Sequence, residues 1–243
     1  MTALWVHEVA DAFWSDAGGA PAAFPRQLDD AIGEALPVAH YELPHLSVAG
    51  IDGWLADHGV PDRLAMPNRP LRACMVVTQG VGVLFLDAND DPEERRFSLA
   101  HEVAHFLVEY AAPRDEAQAR LGGGIVDVLE GRRLPSLDER VGALLSGVSL
   151  SLRLHLMERT PDGHLPGRDV SAAERRADDL ALELLAPSDD VRATVPPWAT
   201  RPEVEAALHG RYGLPRDVAA SYARRLSPEP PGGSLFQRLL SAP

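Results

Sequence analysis

His101, Glu102 and His105 stand in the segment HEVAH and spell H-E-x-x-H. On a helix, positions i and i+4 lie one turn apart on the same face, so both imidazoles can reach one tetrahedral ion. Glu102, one residue on, flanks that point. It can take a proton from a water activated by the ion without itself ligating the metal. The chemistry this predicts is metal-assisted hydrolysis, with one Zn2+ per chain and Glu102 as the base. The plainer reading is a pair of surface histidines beside a glutamate, and the five-letter pattern alone does not separate the two.

Two histidines leave zinc short of a protein ligand, because catalytic zinc takes three plus an open position. The segment SAAERRADDLALELLAP, a predicted helix over 171–186, carries Glu174 and, four residues on, Asp178. Both fall on one helical face, so geometry alone admits either as the third ligand. Glu174 has the longer reach to a metal, and the shorter Asp178 suits the N–H of a ligating histidine, which would fix its tautomer. Ser171-Ala-Ala-Glu174 is also a capping-box sequence, and Glu174 could be spent on the helix start. Asp179 falls on another face, and Glu183 reads as a solvated helix charge. Two further side chains could contact a substrate carbonyl or an oxyanion. They are His164, in the loop TPDGHLPG, and Tyr110, one turn past His105; their plainer readings are a solvated loop histidine and a structural tyrosine.

The metal helix has a clear start. Asp91-Pro92-Glu93-Glu94 offers an N-cap, a proline at the first helical position and acids in the first turn. It is predicted to run to about residue 111, before Pro113. Ahead of it, Arg72–Gln79 and Val81–Asp87 are two extended apolar runs joined near Gly80, a predicted β-hairpin. Helices are expected over 2–14, 26–36, 47–58, 136–146, 201–211 and 215–227. Ser149–Met157 alternates leucine with polar residues and reads as a strand beside the active-site cleft. Residues 1–70 form an N-terminal helical region, 71–190 the core with an insertion at about 114–170, and 191–243 a C-terminal helical region. The class is α+β.

Composition narrows the rest. The chain has 243 residues, 45% of them apolar, enough for a sizeable core. The apolar runs are too short and too charged to cross a membrane. The N-terminus lacks the basic start and clean apolar stretch of a signal peptide, so a cytoplasmic protein is expected. The one cysteine, Cys74, excludes an internal disulfide and a thiolate zinc site. A net charge of −13 gives direct nucleic-acid binding little electrostatic support.

RRFSLAHEVAH followed by ERRADDLALELLAP resembles the ImmA/IrrE family of metallopeptidases. Arg96, Phe97, Ala100 and the H-E-x-x-H residues match one family motif. Glu174, Ala177, Asp178, Ala181, Leu184, Leu185 and Pro187 match the second. The resemblance covers about 72–187. It implies a zincin-like, specifically gluzincin-like, fold in which helices pack on a small sheet and the metal sits between two helices. It also implies a protein substrate, a cytosolic DNA-binding repressor of the helix-turn-helix kind. A zinc-stabilised regulator that binds such a repressor without cutting it is the alternative, and an intact Glu102 argues against it. The segment PEVEAALHGRYGLPRDVAASYARRL is itself helix–turn–helix in outline, though helical pairs of that outline are common and a packed pair is the stronger reading.

Overall fold

The structure is a computed structural model that describes residues 2–61, 63–64, 66–78, 80–146 and 168–226. Its centre is the expected hairpin. Strand β2 (Ala73–Thr78) pairs antiparallel with β3 (Val81–Asp87), with Cys74 opposite Phe85. Gly80 turns the chain between them at φ +85°, a left-handed conformation that favours glycine. Both strands are buried almost throughout, which is why they read as unbroken apolar runs rather than alternating ones. Alternation instead sorts side chains between two cores. Ala73, Met75, Val77, Leu84 and Leu86 enter the larger one, whereas Cys74, Val76, Val83 and Phe85 enter the smaller.

A third strand completes the sheet. β1 (Val38–Leu43) lies parallel to β3, giving the order β1-β3-β2. The sequence reading had no strand here, so residues 1–70 are not wholly helical. The rest of that region is α1 (Leu4–Asp16), α2 (Asp29–Ala35) and α3 (Val48–Asp57). Ser47 caps α3 by accepting a hydrogen bond from the Gly50 N–H. Val48, Ile51 and Leu55 of α3 cover the smaller core face of the sheet. Opposite them lies the larger core, to which α1 and the two helices that carry the candidate site all contribute side chains.

The first of those is α4 (Pro92–His105), with Pro92 in its first turn as expected. It does not stop before Pro113. A π-helical segment, Phe106–Ala111, follows directly and leads into α5 (Ala112–Leu121). Proline breaks an α-helix because it lacks an N–H and crowds the carbonyl four residues back. The wider π turn relaxes that crowding, and Pro113 enters α5 in its first turn, where no N–H is needed. A 3-10 turn (Gly123–Ile125), α6 (Val126–Leu129) and α7 (Leu137–Ser146) follow. This part of the expected insertion lies against the hairpin: a Cβ on Gly80 would come within 2.9 Å of the Glu130 carboxylate. The Ser149–Met157 strand and His164 lie outside the described residues.

The second is α8 (Arg168–Leu185), which packs along α4. Small side chains meet there: Ala100 and Ala104 on α4, Ala177 and Ala181 on α8, all buried. Beyond come α9 (Ser188–Thr194), α10 (Arg201–Gly210) and α11 (Arg216–Leu226). The last two are a packed pair. Leu208, Leu214, Ala219, Tyr222 and Ala223 all enter the larger core, and the Tyr222 hydroxyl donates to the Ala186 carbonyl at 3.3 Å. One face of α11 is therefore spent on packing. No helix among the described residues is long and apolar enough to cross a membrane.

Candidate metal centre

Phe97 anchors α4, being 1% exposed in the larger core, and fixes which face of the helix turns inward. One turn on, that face presents His101; a further turn presents His105. Both imidazoles are buried, as is Glu102 between them. Glu174 comes across from α8 and is also buried. His101 Nε2 lies 3.0 Å from His105 Nε2 and 3.3 Å from Glu174 Oε2. His105 Nε2 stands 3.7 Å from Glu174 Oε1. Two helices thus bring three nitrogen and oxygen donors to one point, although His105 and Glu174 are 69 positions apart in the chain.

These separations fit a single small ion. Donors about 2.0–2.2 Å from a tetrahedral metal stand roughly 3.3–3.6 Å from one another. The observed 3.0 Å between the two imidazole nitrogens, and 3.3 and 3.7 Å from them to the two oxygens of the carboxylate, lie near that range. Burying a carboxylate against two imidazoles carries a desolvation cost that a shared cation would offset. The donor set, two imidazoles and one carboxylate, suits zinc better than magnesium or calcium, which take oxygen ligands.

Asp178 lies where the shorter acid was expected. Its Oδ1 accepts from His101 Nδ1 at 2.9 Å. With the proton held on Nδ1, the Nε2 lone pair faces the cluster, the form a metal ligand needs. His105 is held below the ordinary imidazole range, chiefly by burial, with His101 adding to the effect. The Glu109 and Glu174 carboxylates oppose it. The ring therefore stays neutral at neutral pH, which again suits ligation.

The capping alternative for Glu174 does not survive. It required a helix beginning at Ser171, whereas α8 begins at Arg168 and Glu174 sits inside it. Glu183 is not a solvated charge. It is 6% exposed, lies 3.1 Å from His7 Nδ1, and accepts from the Ser188 N–H at 3.2 Å. Asp179 pairs with Arg225 instead. Tyr110 is on the π segment, its ring 5.1 Å from that of Phe106. Burial raises its hydroxyl pKa, and Arg114 pulls it the other way, so the neighbour it answers to is Arg114. A residue the sequence reading missed is Glu109. Its Oε1 is 3.8 Å from His105 Nδ1 and 3.7 Å from Arg176 Nη2. Its spacing, four after His105, was the one available signal.

Residues 63–122 match the family model of the IrrE N-terminal-like domain, a peptidase family. The match spans the hairpin and the metal helix. This agrees with the motif resemblance and with the mixed α+β architecture. The match ends at residue 122, so α8 with Glu174 and Asp178 lies beyond it, and that half of the site rests on geometry. No curated protein and no solved structure is significantly similar to the chain.

Proposed function

We propose that the chain is a zinc-dependent endopeptidase in which His101, His105 and Glu174 hold the metal and Glu102 is the catalytic base. The observation that carries this is the convergence of three buried donors at separations matching one tetrahedral ion, with a buried glutamate beside them. A divalent ion held there supplies water activation and Lewis-acid polarisation of the scissile carbonyl. Glu102 takes the proton of the attacking water and returns it to the leaving amine. Asp178 keeps His101 in the right tautomer. The peptidase family match over 63–122 supports the reaction class.

The substrate reading follows the motif resemblance: a cytosolic DNA-binding repressor of the helix-turn-helix kind. A chain with net charge −13 is electrostatically suited to a partner with a basic surface and ill suited to nucleic acid. The purified chain should hold about one zinc, measured by atomic absorption, and His101→Ala or His105→Ala should each abolish it. Glu102→Gln should retain metal and fold but cleave no protein substrate, since an amide accepts no proton at neutral pH. Full zinc occupancy in both histidine variants, or undiminished cleavage by Glu102→Gln, would refute the assignment.

A further inference from the structure

Resting on the metal-site reading above, we infer that Glu109 is a positioning residue for His105, the counterpart of Asp178 for His101, and that Arg176 holds it in place from α8. His105 turns Nε2 towards His101 and Glu174, which leaves Nδ1 facing the other way. Nδ1 is buried, and among the described residues no hydrogen-bond partner lies within reach of it. The carboxylate that faces it is Glu109, at 3.8 Å, an ion-pair separation rather than a hydrogen bond. A ligating imidazole needs its second N–H directed at an acceptor, because that bond sets the tautomer and the ring's orientation. A buried N–H without one is costly.

The backbone explains why an acid four residues on can serve. Glu109 sits in the π segment that begins directly after His105. The wider i→i+5 turn stacks residue i+4 more nearly over residue i than an α turn does. That brings the Glu109 carboxylate, 17% exposed, to the Nδ1 side of the His105 ring. The same oxygen, Oε1, lies 3.7 Å from Arg176 Nη2. Arg176 is two residues from Glu174 and two from Asp178. One turn of α8 thus supplies a ligand, a direct support for His101, and an anchor for the support of His105. Site geometry and the packing of α8 on the π segment become one arrangement.

Zinc affinity of the full chain, read by competition with a chromogenic chelator, tests this together with the histidine ring nitrogens read by long-range 1H–15N NMR. In the zinc-loaded wild type, His105 Nδ1 should carry a slowly exchanging proton. Glu109→Ala should weaken zinc binding about 10–100-fold, the range for groups that orient a ligand, and that proton should exchange freely. Glu109→Gln keeps an acceptor oxygen and should recover most of the affinity. Arg176→Ala should lose less than Glu109→Ala, in the same direction. Wild-type zinc binding that Glu109→Ala leaves unchanged overturns the inference alone, as does an unprotonated His105 Nδ1 in the loaded wild type. A loss in Glu109→Ala that Gln does not recover also overturns it, since it marks a packing role. A wild-type chain that takes up no zinc overturns this and the metal-site reading together.

Discussion

Glu174 and Asp178 share a helical face and a charge, yet the structure gives them different neighbours. Glu174 reaches both Nε2 atoms, whereas Asp178 accepts from the far nitrogen of His101. Their variants should separate accordingly. Glu174→Ala removes a charge from the donor set and should cost most of the zinc affinity. Asp178→Asn leaves three donors in place and should cost about 10–100-fold. Titration with a competing chelator reads both, and equal losses would mean the two acids are not distinguished in this way. At this scale the site was largely legible beforehand, because H-E-x-x-H and the Glu-x-x-x-Asp spacing are local helical patterns. The roles of Glu183 and Glu109 were not. The first depends on His7 arriving from α1, and the second on a π turn that no residue spacing announces.

Between elements, what positions the site is the seating of α4 on the sheet, and Gly82 sets how close that seating is. A Cβ there would lie 2.9 Å from Val38 Cγ2, 3.1 Å from Met75 Sδ and 3.2 Å from Phe106 Cε2. These three belong to β1, β2 and the start of the π segment. Gly82→Ala should therefore destabilise despite the usual benefit of removing a glycine. Overpacking costs ~1–3 kcal/mol and the lost backbone freedom returns ~0.5–1. A net loss of about 1–2 kcal/mol should appear as a lower urea midpoint with an unchanged slope. A stabilised variant would show that the seating has slack. Element boundaries were readable where caps and apolar periodicity coincide, as at Pro92 and along the hairpin. β1 escaped because its buried pattern is thin: only Val38 is buried, and its partner lies more than forty residues away. Pro113 was read as a stop because a proline forbids an α turn but not the π turn that precedes it here.

Across the whole molecule, a bound ion would tie α4 to α8, and the helices it joins are also the centre of the larger core. A ligand that binds only the folded state stabilises it by mass action, about 4 kcal/mol at a thousandfold excess over Kd. For a chain of this size that corresponds to a Tm increase of about 10 °C. Chelation of the loaded protein should lower Tm by that order, and calorimetry should find no such response in His101→Ala. A chelator response that persists in that variant would place the stabilising ion elsewhere.

The parallel pairing of β1 with β3 has a practical reach beyond the site. The segment that matches the peptidase-family model, 63–122, contains β2 and β3 but neither β1 nor α8. Excised at those borders, β3 would present a bare edge of apolar residues, the kind of surface on which separate chains pair and aggregate. The recognisable unit of heredity and the smallest piece able to hold its shape therefore do not share borders here. Anyone trimming this protein for expression would do better to let strand order, rather than sequence similarity, decide where to cut.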